Sequence, residues 1–152
     1  MNKQELRKEI RKRVGMLDAL EKQRASDSVC RQIVRMPIWQ RARKVLLYEA
    51  LSDEISLREL INLAAEEGKT VLMPEPSADA KPLTDLEDID LAIIPGRAFS
   101  SQGARMGRGK GYYDRLLSVL DCPKIGVAFR CQLFEDLPTD SWDMPMNEVV
   151  LG

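Results

Sequence analysis

Gly103-Ala-Arg-Met-Gly-Arg-Gly-Lys-Gly-Tyr-Tyr-Asp-Arg115 follows a short apolar run, Leu91-Ala-Ile-Ile94, and leads into Leu116, Leu117 and Leu120 at helical spacing. A strand, a glycine-rich loop and a helix in that order suit an anion. Gly107, Gly109 and Gly111 let the backbone come close to a ligand and turn its N–H groups inward. The helix that starts after them adds free N–H groups and a positive dipole end. Arg108 and Lys110 alternate with the glycines and Arg105 sits just upstream, so three full positive charges are at hand for phosphate. Asp114 offers a hard oxygen to a Mg²⁺ travelling with that phosphate. The spacing fits neither G-x-x-x-x-G-K-S/T nor G-x-G-x-x-G. A flexible surface turn with solvated charges is the alternative for the glycines alone; the Tyr112-Tyr113-Asp114 beside them weighs against it.

Outward from the loop, strands and helices alternate. Apolar residues at Leu6, Ile10, Val14 and Leu17 predict a first helix from Asn2 to about Leu17. Asp18-Ala-Leu-Glu21 has the form of a capping box and predicts a second, ending before Pro37. Lys44 to Ala50 reads as a buried strand, and Leu51 to Ile55 as the loop at its carboxyl end. A helix capped by Ser56, with Glu59 three residues on, should close at Gly68. Thr70 to Met73 is a second strand, Leu91 to Ile94 a third, Lys124 to Phe129 a fourth and Glu148 to Leu151 a short last one. The stretch 75–88 and the segment from Arg130 to Asp143 read as irregular. The pattern predicts an α/β protein, residues 1–152 as one domain, with a mainly parallel sheet covered on both faces. Ligands of such sheets bind beyond the carboxyl ends of the strands. Asp53, Glu54 and the Pro95–Lys110 segment should therefore converge there.

Composition narrows the chemistry. The 152 residues are 44% hydrophobic and 31% charged, with a net charge of −1, so nothing draws the whole molecule to nucleic acid or an anionic membrane. No histidine is present, which excludes histidine bases, Ser–His and Cys–His nucleophiles, and histidine metal sites. Cys30, Cys122 and Cys131 lack both even number and metal spacing, and read as reduced thiols. The charged N-terminus and the lack of a long apolar run predict a cytoplasmic protein, and a monomer is expected.

Gly107-Arg-Gly-Lys-Gly-Tyr-Tyr-Asp-Arg115, preceded by Ile94-Pro-Gly-Arg-Ala-Phe99, resembles the signature of the 5-formyltetrahydrofolate cyclo-ligase (methenyltetrahydrofolate synthetase) family. The resemblance runs from Lys3 to Glu148. It implies a three-layer α/β/α fold related to sugar-phosphate isomerases and coenzyme A transferases. It also implies ATP as co-substrate, Mg²⁺, and a reduced folate as the small-molecule partner. Lys3, Arg7 and Arg11 by spacing alone describe a solvated basic face or a polyphosphate contact; Lys3-Gln-Glu-Leu-Arg7 resembles the family segment whose two cations lie at ATP. The ATP set implied is then Lys3, Arg7 and the loop Arg105, Met106, Gly107, Arg108, Gly109, Lys110, Gly111, Tyr112 and Tyr113. Arg108 and Lys110 are the expected catalytic pair. Asp53-Glu-Ile55 resembles the segment whose Glu contacts folate, so Glu54, with Arg108, Tyr112 and the neighbouring Glu49, forms the substrate set. Asp143 to Val149 resembles the C-terminal motif whose first Asp joins Asp114 at Mg²⁺.

The implied reaction closes 5-formyltetrahydrofolate to 5,10-methenyltetrahydrofolate and releases ADP and phosphate. Two rivals use the same residues: an ATP-dependent enzyme for a different N-formyl or amide substrate, and a nucleotide- or folate-binding protein without turnover. Departures fall on the folate half. Fewer residues than usual separate Pro74 from Leu91, Glu49 stands where the family has a small or apolar residue, and Arg130 follows Phe129 where many members have Asp. A less enclosed folate and an intact ATP half are expected.

Overall fold

The computed structural model describes residues 1–74, 85–109, 111–140 and 143–152. Its strands are β1 (Lys44–Leu46), β2 (Thr70–Leu72), β3 (Leu91–Ile94), β4 (Ala98–Ser100), β5 (Arg105–Met106), β6 (Lys124–Ala128), β7 (Leu133–Phe134) and β8 (Glu148–Leu151). Its helices are α1 (Lys3–Gly15), α2 (Ala19–Val34), α3 (Pro37–Arg41), α4 (Arg58–Glu66) and α5 (Tyr112–Val119). Five strands pair in the order β2-β1-β3-β6-β8, every neighbour parallel. Strand residues alternate between the two faces, as a period of two requires. Val45, Leu91, Ile93, Ile125, Val127 and Val150 pack with Leu6, Ile10 and Val14 of α1 and with apolar residues of α2 and α4. Leu46, Ala92, Ile94 and Ala128 turn the other way, onto Leu116, Leu117 and Leu120 around α5. The mainly parallel sheet between helices is as the sequence predicts.

Helix ends follow local chemistry. Asp18 and Glu21 close the expected capping box, with Glu21 N donating to Asp18 Oδ1 at 2.7 Å and Asp18 N to Glu21 Oε1 at 3.1 Å. After α4, Gly68 adopts φ 74° while Lys69 N reaches Ala64 O at 2.8 Å, a Schellman closure. Two expectations need correction, the start of α4 and the length of β1. α4 starts at Arg58 with Leu57 as its cap, because the Leu57 side chain is drawn into the core; Ser56 Oγ still accepts from Arg58 N at 3.3 Å. α2 ends at Val34, before Pro37 as expected, and Pro37 opens α3 at the position where its missing N–H is harmless. β1 is a three-residue ladder, although Leu47 N carries one more bond to Leu72 O.

The larger departure is a second, three-stranded sheet in the order β5-β4-β7, where the sequence reads as loop. β4 and β5 form an antiparallel hairpin, and β7 joins β4 in parallel. Its strands are two or three residues long, too short for an alternating pattern to register. The hairpin is held by burial: Phe99 is fully buried and packs against Gly126 in the middle of β6. A methyl group added at Gly126 would sit 2.4 Å from the Phe99 ring. Gly126→Ala should thus lower stability by about 1–3 kcal/mol through overpacking, although alanine otherwise suits a strand better than glycine. An unshifted urea midpoint would show that the ring has room to give way.

Candidate active site

The chain runs from β1 outward to β2, then returns to the other side of β1 to lay down β3, β6 and β8. The carboxyl ends of β1 and β3 therefore diverge, and the crevice between them is where an open α/β sheet takes its ligand. The segment 47–55 enters it from β1. The β4–β5 hairpin and the glycine-rich loop enter it from β3.

Arginine holds the loop from both sides. Arg7, on α1, donates through Nε to Gly107 O at 3.0 Å. Arg105 lies beneath, its side chain only 4% exposed, with Nε donating to Pro95 O at 2.8 Å. A Cβ at Gly107 would sit 3.1 Å from Arg105 Nη1, and one at Gly109 would sit 3.2 Å from Arg7 Cζ. Gly109 and Gly111 have φ of 96° and 70°, which side-chain-bearing residues adopt at a cost. Dihedral angle thus favours glycine at 109 and 111, and at 107 and 109 a side chain would crowd the two arginines. α5 begins directly after Gly111 with no side-chain cap, so the positive end of its dipole lies at the close of the loop.

Arg105 also lies 3.6 Å from Asp114 Oδ1 and 5.0 Å from the Tyr113 ring centre. Burial pulls its pKa down, and the carboxylate charges of Asp114, Glu54 and Asp143 oppose that shift. A guanidinium stays protonated under such a pull. Tyr113 packs edge-on against Tyr112 at 5.4 Å, and burial, then the Glu54 charge, push its phenol well above the ordinary range. Tyr113 enters the site as a neutral phenol.

On the β1 side, Glu54 Oε1 accepts from Leu51 N at 2.9 Å while Glu54 N donates to Leu51 O at 3.0 Å. That reciprocal closure fixes the carboxylate, whose Oε2 lies 3.5 Å from Arg108 Nη2. Asp53 Oδ1 takes a short bond from the same Arg108 nitrogen, and its Oδ2 accepts from Arg97 Nη1 at 2.5 Å. Burial raises the Asp53 pKa, but the Arg108 hydrogen bond and the Arg108 and Arg97 charges outweigh it and hold the carboxyl below its usual value. Its pairing therefore adds stability above the ordinary carboxylate range, lost as pH falls through the depressed pKa. Neither Asp53 nor Arg97 receives a role from sequence, although both lie inside quoted motifs: acid and base were 44 positions apart.

Lys3 donates to Asp143 Oδ2 at 3.2 Å and to Asp140 Oδ2 at 2.5 Å, so α1 is tied to the connection leading into β8. Asp140 N also donates to Asp143 Oδ2, at 2.7 Å. Asp114 and Asp143 both act on the Arg105 charge. Among the described residues no group of three or more His, Cys, Asp and Glu is placed to hold a metal. Asp114 and Asp143 are hard oxygen donors of the type that Mg²⁺ takes, and would hold it only together with oxygens from a ligand or water.

Some expected residues stand elsewhere. Glu49 is exposed and pairs with Arg58 at 2.8 Å. Met106 is 2% exposed, its side chain in the α1-side core and its carbonyl accepting from Arg97 N at 2.7 Å. Lys110 and the 75–84 part of the shortened middle lie outside the described residues.

A model of the 5-formyltetrahydrofolate cyclo-ligase family matches residues 1–87 and 75–152. The chain belongs to that family. A 5-formyltetrahydrofolate cyclo-ligase of Haemophilus influenzae is 28% identical over 182 residues, covering 99% of this chain and 97% of the relative. Among solved structures, a 5,10-methenyltetrahydrofolate synthetase of Aquifex aeolicus is 32% identical with a TM-score of 0.86, covering 99% of this chain and 90% of that one. A second, from Mycoplasma pneumoniae, is 25% identical with a TM-score of 0.84 and 98% of each chain covered. The two pieces of the family match meet at 75–87, within the segment between Pro74 and Leu91 where the cyclo-ligase pattern is shortened. Among the described residues no helix is long and apolar enough to cross a membrane.

Proposed function

We propose that the chain closes 5-formyltetrahydrofolate to 5,10-methenyltetrahydrofolate at the expense of ATP. The observation that carries the reading, beside family membership, is the meeting of a doubly braced phosphate loop with a fixed carboxylate, Glu54, across one crevice. The formyl group on N5 is an amide, and its oxygen is too poor a leaving group for N10 to displace. Moving the γ-phosphoryl group onto that oxygen breaks the bond to ADP and makes phosphate the leaving group. N10 then bonds to the former formyl carbon, loses its proton, and the C–O bond breaks with release of phosphate.

Such a transfer needs positioning and charge neutralisation more than a strong base, which suits a site without histidine. The loop amides, Arg7, Arg108 and Lys110 would carry the phosphates, with Arg105 adding charge from beneath. Glu54 would orient the pterin, with Tyr112 alongside. Asp114 and Asp143 would hold Mg²⁺, which when bound neutralises phosphate charge. Purified protein given ATP, Mg²⁺ and 5-formyltetrahydrofolate should develop the near-ultraviolet absorbance of the methenyl product. A chelator in excess over Mg²⁺ should stop it. ATP-independent colour, or none, would sink the proposal.

A further inference from the structure

Arg108 has a long side chain on a loop flanked by Gly107 and Gly109, so little local packing can aim it. What does aim it comes from the other wall of the crevice. Asp53 offers one oxygen to Arg108 and the other to Arg97. Arg97 is well placed to hold still: its side chain is 13% exposed, and its backbone is bonded at both ends. Arg97 N donates to Met106 O, and Gln132 Nε2 donates to Arg97 O and to Gly96 O, each at 3.0 Å. Gln132 is itself 3% exposed and is fixed by Phe129 N, which donates to its Oε1 at 2.9 Å. Rigidity therefore passes from a buried amide, through the Arg97 backbone and guanidinium, to a carboxylate that faces the loop.

We propose that Asp53, anchored by Arg97, is the positioning residue that aims Arg108 across the crevice. The role in turnover rests on the cyclo-ligase reading; the aiming of the side chain does not. A guanidinium whose Nη2 is shared between Asp53 and Glu54 loses less freedom on meeting a substrate than one sampling solvent. Asp53 acts through Arg108, so its loss should slow the chemical step and leave ground-state binding nearly unchanged.

Two measurements decide it. The first needs no substrate: the Arg108 Nε–H signal in NMR, assigned by its absence in Arg108→Lys, should report a restrained side chain in the wild type and a mobile one in Asp53→Asn. The second is a kinetic double-variant cycle. Asp53→Asn should lower kcat by about tenfold, with both KM values within about threefold, and should cost little further when Arg108 is already alanine. Arg97→Met should copy Asp53→Asn, and Arg97→Lys should recover part of the loss. A merely structural aspartate would multiply its full tenfold onto Arg108→Ala, and that result overturns the proposal. So does an Arg108 signal equally restrained in Asp53→Asn. A wild-type protein without turnover would remove the cyclo-ligase reading, while the NMR comparison would still settle what holds Arg108.

Discussion

Arg105→Ala should lower kcat/KM for both ATP and folate by about 10²- to 10³-fold and cost about 3–5 kcal/mol of stability. The side chain is nearly sealed under the loop, and it ties the end of β3 to the first turn of α5. Its Nε binds Pro95 O at the end of β3, its Nη1 faces Asp114 on α5, and its guanidinium lies over Tyr113. Truncation leaves a buried carbonyl without this donor and removes the cation 3.6 Å from Asp114. It also opens a void under Gly107, whose backbone lies against the guanidinium. Misplacing a reacting group by an ångström can cost about two orders of magnitude in rate. Arg105→Lys should keep the charge but not the fork geometry, and should recover stability better than activity. Urea denaturation and steady-state kinetics, taken where circular dichroism shows the variant folded, separate the two losses. Wild-type stability in Arg105→Ala would mean the loop stands without its support.

How far the sequence could carry the reading depends on the range of each interaction. The helix of Leu6, Ile10 and Val14, the Asp18–Glu21 box and the closure at Gly68 are written within a few residues, and the structure has them. Leu91–Ile94 is buried on both faces, so it appears in sequence as an unbroken apolar run. The β4–β5–β7 sheet left no such mark, because its strands gain stability from the Phe99–Gly126 contact 27 positions apart. At the site the pattern was similar. The loop could be read from its own glycines and cations. That Arg105 would turn inward, that Arg97 would reach Asp53, and that Lys3 would sit on Asp143 depended on tertiary placement. Charge type was legible in all of them; direction was not.

Glu54→Ala should lower kcat/KM for 5-formyltetrahydrofolate by several hundred-fold, and Glu54→Gln by about 100-fold, with the KM for ATP within about threefold in both. A tetrahydropterin presents an amino group and a ring N–H side by side, and a carboxylate accepts both. A charge-assisted pair of this kind is worth about 1.5–3 kcal/mol, and 1.4 kcal/mol corresponds to a tenfold change. The Glu54 side chain is 10% exposed, so water replaces a lost charge poorly. The two substitutions differ in what else they remove. Glutamine keeps a carbonyl oxygen for Leu51 N and so preserves the 51–54 turn, whereas alanine opens it. Alanine also takes away one of the two carboxylates facing Arg108, which glutamine leaves as a neutral acceptor. Equal losses in the two variants would place the whole effect on the charge. Wild-type folate kinetics in Glu54→Gln, with a loss only in Glu54→Ala, would reduce Glu54 to a residue that closes a turn, and the folate would have to be oriented from the loop side of the crevice instead.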